Sequence, residues 1–276
     1  MHFLGIDLGT TFVKGAVLDL DALQIAYISR VPFPMPIPDR PARHYEIQPD
    51  AVVDAVRQAI EALLPHAPDC AGIVLSTQMH SVQLVNHDGE AISNAVTWLD
   101  QRVLALHPAG GSYFEVLTDR LGPQIRQELG NELRPGLPVC TLFWLAETQQ
   151  GSDTAIQNAI PLTMADYVLM RLCDAPPGID LTNAAATGLL DVRSGTWHKP
   201  ALAALGLDHF DWPAITPLTQ PAGNYHFHGQ AIPCYRAVGD AQCSLVGAGL
   251  AAGELSINIA TGSQVSLLRD EPVCRN

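Results

Sequence analysis

Positive charge is the scarcest resource in this chain of 276 residues. Lys and Arg together number 15 against 28 Asp and Glu, a formal charge of -13, and the only lysines are Lys14 and Lys199. A nucleic-acid interface needs clustered cations to neutralise backbone phosphates, so that class is excluded. Attachment to anionic lipid is disfavoured for the same reason. An anionic substrate would meet long-range repulsion and would need local donors, such as backbone amides or a bound cation.

Other absences narrow the field. The six cysteines, at 70, 140, 173, 234, 243 and 274, never fall as CxxC and lie far apart, unlike a zinc ligand set or a stapled secreted scaffold. They read as reduced, mostly buried thiols. His226 and His228 form HxH without an HExxH or a carboxylate pattern nearby, and the pair reads as a polar loop before a strand. No stretch reaches the roughly 18 uninterrupted apolar residues of a membrane span. The segment MHFLGIDLGT lacks the basic flank and apolar run of a signal peptide, so a cytoplasmic protein is expected. With no GxxxxGK[ST] and no GxGxxG, Walker-type and Rossmann readings drop out.

What is present is enough for a core: 47% of residues are apolar. At roughly 150 residues per domain, the length is a little under two domains. Alternation predicts three strands, 2–7, 13–19 and 24–31, joined as a meander. The proline-rich PFPMPIPDRPARHYEI then reads as an extended surface segment. Helical spacing covers 50–64, with Asp50 placed to cap it and Pro65 to stop it. A buried strand is expected at 72–76, then a hairpin closed at Asp88-Gly89. The middle third is helical, most clearly at 139–148 and 165–173. Short strands follow at 188–192 and 214–216, and the tail reads strand 235–238, helix 240–249, then strands 255–260 and 265–268. The class is α/β with an antiparallel component.

Three places could carry chemistry. Asp7-Leu8-Gly9-Thr10-Thr11, with Lys14 beyond, ends one strand and opens the next. Backbone N–H groups and hydroxyls there suit a phosphate, and the carboxylate suits Mg2+ held through water. A bare turn is the competing reading, although a lysine beside it is notable in a chain with only two. Gly239-Asp240-Ala241-Gln242 puts a carboxylate at a strand-to-helix junction, either an N-cap or a general base. Ser76-Thr77-Gln78-Met79-His80 and Thr97-Trp98-Leu99-Asp100-Gln101-Arg102 cluster hydrogen-bonding groups and an indole after strands. They suit a polyhydroxylated ligand, or equally a buried Trp beside a satisfied ion pair.

The order DLGTT with Lys14, STQMH, TWLDQR, DLTNAAATGLLDVRSGTW, VGDAQCS and NIATGSQ resembles the FGGY carbohydrate kinases of the actin and hexokinase ATPase superfamily. Within that family, GDAQCS, NIATGSQ, TLFWL and MADYVLMRLC look most like sedoheptulokinase and next like xylulokinase. The resemblance implies a ribonuclease-H-like domain with a mixed sheet over 1–250, and the first strands of a second such domain over 251–276. It implies ATP-dependent phosphorylation of a ketose at a primary hydroxyl, with Asp240 as general base. Asp7 would hold Mg2+ through water, with Gly9, Thr10, Thr11, Lys14, Thr261 and Gly262 at the ATP phosphates. Gln78, Met79, His80, Trp98, Asp100, Arg102 and Asn183 would line the sugar pocket. The implied partners are a sugar and ATP, with neither nucleic acid nor membrane, and the family leaves room for a homodimer. Ala241 stands where several members carry a polar residue that touches the sugar. Family chains are typically much longer, so an alternative is a sugar-binding domain inactive on its own.

Overall fold

The computed structural model describes residues 1–130, 132–148, 156–259 and 264–270. The meander forms as its alternation dictates: strand β1 (His2–Leu8) pairs antiparallel with β2 (Phe12–Asp19), and β2 with β3 (Gln24–Pro32). Strand β4 (Cys70–Thr77) then lies parallel to β1 on its other side. Beyond β4 come a hairpin of β5 (Gly223–Phe227) with β6 (Gln230–Cys234), and the short β7 (Val238–Gly239), also parallel to β4. This mixed sheet, an antiparallel meander continued by parallel strands, is the ribonuclease-H-like arrangement of the actin and hexokinase ATPases.

One face of the sheet is sealed. Leu4, Ile6 and Leu8 alternate inward with Val13, Val17, Ile73 and Leu75, and all are buried. Helix α1 (Pro49–Leu63) lays Val52, Val56, Ala59, Ile60 and Leu63 on them, and α4 (Met164–Leu172) packs behind it. Gly15 makes that approach possible: a Cβ there would stand 2.7 Å from Leu63 Cδ1 and 2.9 Å from Ile6 Cδ1. The opposite face is open, and Phe3, Ala16, Ile25, Ile28, Val74 and Tyr235 line an apolar hollow of about 650 Å³ on it.

A second core gathers around α2 (Tyr113–Leu129), α3 (Pro138–Thr148) and α6 (Lys199–Leu205), with Leu117, Phe143 and Leu205 at its centre. Helix α2 opens with a capping box, Ser112 with Glu115, and closes on Gly130 at φ 69°. The short α5 (Leu181–Ala186) and α7 (Asp240–Gly247) complete the helices, and β8 (Leu255–Asn258) and β9 (Gln264–Leu267) form a separate ribbon.

Three expectations need correction. Asp50 does not cap α1, because Pro49 already occupies the first turn and Gln48 stands at the N-cap; Asp50 instead accepts a hydrogen bond from the Tyr167 hydroxyl at 2.9 Å. His226 lies within β5 and His228 in the turn after it, at φ 46°, so a hairpin stands where a loop was expected. Of the strand expected at 235–238 only Val238 is in a strand, β7; residues 235–237 link the end of β6 at Cys234 to it. Among the described residues no group of His, Cys, Asp or Glu could hold a metal ion by itself, and no helix is long and apolar enough to cross a membrane.

Candidate functional site

Three parallel strands end side by side. Register aligns Asp7 with Ser76 and Ser76 with Val238, then Leu8 with Thr77 and Thr77 with Gly239. The residues just past these ends are Gly9-Thr10-Thr11, Gln78-Met79-His80 and Asp240, so three separate pieces of sequence meet at one edge. With strands about 4.8 Å apart, the turn after β1 and the start of α7 stand roughly 10 Å from one another. A crevice at the carboxyl ends of parallel strands is where α/β sheets bind ligands.

Two cavities open there. The first, about 760 Å³, is lined by Thr10, Gln78, Met79, His80, Trp98 and Asp240, together with residues of 132–137, 182–186 and 241–242, and Gln264. The second, about 550 Å³, is lined by Asp7, Ser76, Asp240 and Ser244, and by Ser256, Asn258, Gln264 and Ser266 of the ribbon. Among the described residues Asp240 is the one ionisable side chain that borders both. It is the first residue of α7 and does not cap it: the N-cap is Gly239, and the carboxylate accepts only from the adjacent Ala241 N–H, at 2.8 Å, among the bonds described. Although the side chain is open to the cleft, surrounding protein desolvates it and raises its pKa, and the negative charge of Asp7 acts in the same direction.

The rest of the first wall is held by the backbone around it. Gln78 donates through Nε2 to the Gly9 carbonyl at 3.2 Å, and its own N–H bonds Leu8 O at 2.8 Å, tying this wall to the turn after β1. His80 adopts φ 64°. Its Nδ1 lies 2.8 Å from the Ala186 carbonyl, which fixes the proton on that nitrogen, and Nε2 then accepts from Arg134 at 3.1 Å. Burial, joined by the Arg134 charge, lowers the His80 pKa, so the ring is neutral. Met79 packs on Gly239, where a Cβ would stand 2.7 Å from its Cε.

Residues 2–247 match the N-terminal domain of the FGGY family of carbohydrate kinases. The chain belongs to that family. The gluconokinase of Bacillus licheniformis is 22% identical over 286 residues, covering 98% of this chain and 52% of that protein. The ligand-bound xylulose kinase of Lactobacillus acidophilus superposes with a TM-score of 0.80 at 22% identity, over 96% of this chain and 53% of that one. The glycerol kinase of Plasmodium falciparum, solved with ADP, gives a TM-score of 0.80 at 19% identity, over 96% and 53%. At these identities the two structures speak for the fold alone, and the chain spans about half the length of the relatives it matches.

Within this FGGY domain the residues singled out in the sequence divide into four groups. Gln78, Met79, His80, Trp98, Thr10 and Asp240 meet at the first cavity, and Asp7 and Asp240 at the second. Gly9, Thr11 and Lys14 lie in or beside the turn after β1, where the Lys14 ammonium is 3.8 Å from the Asp7 carboxylate. Asp100, Arg102 and Asn183 are not on either cavity wall, which corrects the expectation for them. Arg102 donates from Nε and an Nη to both oxygens of Asp100, at 2.9 and 2.8 Å, and to Glu46 at 2.7 Å; this is the satisfied ion pair of the blander reading. Asn183 is buried against Asp180 and the Ala237 carbonyl. Thr261 and Gly262 lie outside the described residues.

Among the wall residues that went unread in the sequence are Arg134 and Gly136. Arg134 is the only Lys or Arg among the described residues of the first cavity. Gly136, at φ 91°, passes so close beneath Trp98 that a Cβ would stand 2.2 Å from the Trp98 carbonyl oxygen. The signal for both was slight, an Arg-Pro-Gly turn inside a helical region.

Proposed function

We propose that the chain is the sugar-binding part of an ATP-dependent carbohydrate kinase that phosphorylates a primary hydroxyl of a ketose, sedoheptulose first and xylulose next. Residues 1–250 form its first domain, and β8 and β9 begin a second. The observation that carries this reading is the position of Asp240, an ionisable group of raised pKa on the partition between two cavities. The first cavity suits a sugar: Gln78 and Arg134, the latter oriented by the neutral His80, offer hydrogen bonds, and the half-exposed Trp98 offers an indole face for C–H groups. The second cavity, lined by serines, Asn258, Gln264 and Asp7, suits phosphate groups arriving from ATP.

The donor set fits magnesium of the kind that enters with a nucleotide. Mg2+ characteristically binds one or two carboxylates plus phosphate oxygens and retains several waters, and here Asp7 is a single half-exposed carboxylate at a strand end. Bound there, the ion would offset negative charge on the phosphate oxygens. The chain's own contribution is to hold the sugar in the first cavity and place the Asp240 carboxylate beside its hydroxyl. Asp240 accepts the hydroxyl proton as the oxygen attacks the γ-phosphorus of ATP in line and the bond to the departing ADP breaks, with the Gly9–Thr11 turn and Lys14 placed to face the developing charge. Because its pKa is raised, Asp240 is a stronger base than an ordinary carboxylate, and turnover falls as pH drops through that raised value.

The test is Asp240→Asn. Sugar binding, measured by calorimetry with sedoheptulose, xylulose, ribulose, glycerol and gluconate, stays at its normal strength, while ATP-dependent phosphorylation drops by roughly 10²- to 10⁴-fold. Near-normal turnover in the variant would remove Asp240 from the role of base. Tighter binding of another sugar in the panel would overturn the choice of sedoheptulose.

A further inference from the structure

The turn that carries Asp240 does not hold itself in place. Its N-cap residue, Gly239, has no side chain to cap with, and β7 is only two residues long. Support comes from α5, across the cleft in sequence. Asp180, fully buried, accepts from the Thr182 N–H at 2.8 Å, the Thr182 hydroxyl at 2.9 Å, the Asn183 N–H at 2.9 Å and the Asn183 side-chain amide at 2.8 Å.

The two residues so ordered each make one more bond, and both bonds go to the segment before Asp240. Thr182 Oγ1 accepts from the Gly239 N–H at 2.9 Å, and Asn183 Nδ2 donates to the Ala237 carbonyl at 2.8 Å. Directionality is forced. A hydroxyl has one proton, and with that proton given to Asp180 its lone pairs are left for the Gly239 amide. An ordinary helix cap would need only the two N–H bonds to Asp180; the onward bonds are surplus to capping. On the far side of Ala237, Arg236 donates to the Pro176 and Gly178 carbonyls at 2.8 and 3.1 Å and to Thr216 Oγ1 at 3.1 Å, so the strand cannot slide to compensate.

We infer that Thr182 and Asn183, oriented by Asp180, are positioning residues that lock the Gly239–Asp240 turn and so aim the Asp240 carboxylate at the sugar hydroxyl. This rests on the reading of Asp240 as the base. A misplacement of about 1 Å at such a group is worth on the order of 10²-fold in rate.

The decisive comparison is Thr182→Val, which removes the hydroxyl at nearly constant volume, against Thr182→Ser, which keeps it. Asn183→Ala tests the second tie at a residue that does not touch the cavity. In this chain, NMR hydrogen exchange of the Gly239 amide speeds up about tenfold or more in Thr182→Val. The Asp240 carboxyl, less enclosed once the turn loosens, titrates nearer its ordinary value; Thr182→Ser keeps both at wild-type values. In the ATP-coupled assay, Thr182→Val and Asn183→Ala lower kcat about 10²-fold with the sugar KM within about threefold. Thr182→Ser recovers kcat. Wild-type Gly239 exchange and Asp240 titration in Thr182→Val would overturn the lock, as would a loss confined to KM. The NMR arm uses no turnover, so a failure of Asp240 as base, seen in Asp240→Asn, is told apart from a failure of the lock.

Discussion

Replacing Arg102 with Leu separates a structural role from a sugar-binding one. The Arg102 guanidinium is 5% exposed and pairs with Asp100 at 2% and Glu46 at 11% side-chain exposure. It also stands 5.2 Å from the centre of the Trp144 ring. Burial acts to lower its pKa, yet the Asp100 and Glu46 carboxylates hold it above the usual value. For Glu46, burial pushes upward, and the hydrogen bonds from Asn94 and Arg102 win and keep it low. Arg102 and Glu46 are therefore ionised, and the packing of the one depends on the other. With Arg102 gone, Asp100 keeps the Tyr45 N–H at 2.7 Å and the residue 102 N–H at 3.0 Å but faces no cation, and Glu46 keeps Arg40 and the Asn94 amide. Breaking one partner out of a buried pair costs about 3–5 kcal/mol. Because Glu46 retains Arg40, the lower end, about 3 kcal/mol, is expected, a drop in Tm on the order of 10 °C for a chain of this size. The assay is urea and thermal unfolding of Arg102→Leu beside Asp100→Asn, with sugar titrations on both at a temperature where they are folded. Sugar affinity unchanged within about threefold is expected. A variant of undiminished stability that has lost sugar affinity would refute the reasoning and restore Arg102 to the pocket.

Two further perturbations follow from buried geometry. Asp166 is fully buried, with the Thr163 hydroxyl at 2.6 Å on one oxygen and Arg236 no closer than 4.0 Å to the other, and burial pushes its carboxyl up to about 7. Between the unfolded value near 4 and that folded value only the native state holds the proton, so stability falls as pH rises from 5 to 7, by about 2 kcal/mol from this group. Asp166→Asn lacks this decline; equal differences between pH 5 and pH 7 in urea melts of the two proteins would refute it. Gly136→Ala must displace Trp98, given the 2.2 Å approach and the positive φ, and weakens sugar binding about tenfold or more with altered Trp emission. An unchanged titration would show that Trp98 does not contact the sugar.

The legible part of this molecule is the part written in alternation. Leu4, Ile6 and Leu8 against Val13 and Val17 announced the meander, and with it the edge at which Asp7 and the turn after β1 lie. The hairpin of β5 and β6 was not legible, because it is at the sheet's rim and only Tyr225, Ile232 and Cys234 of its residues are buried; the histidines and Pro233 mask the period. The same limit applies to the site. Gln78, Met79 and His80 follow a buried strand, so their exposure at its end could be foreseen. For Asp100 and Arg102 the residue types say only that charge is present. Whether it faces a ligand or another charge is decided by Glu46, whose place beside them comes from the pairing of Glu46–Ile47 with Ala95–Val96. Asn183 was read as part of the wall, but its bonds to Asp180 and Ala237 put it behind that wall.

The contact between Met79 and Gly239 ties this site together. With the methionine's terminal methyl filling the space a Cβ at 239 would need, the residue that shapes the wall and the backbone that presents the carboxylate share one volume. A side chain at 239 would have to push aside the ends of both Met79 and Gln242, each of which also lines the first cavity. The sugar wall and the presentation of the carboxylate are thus not independent, and a change made at one is felt at the other.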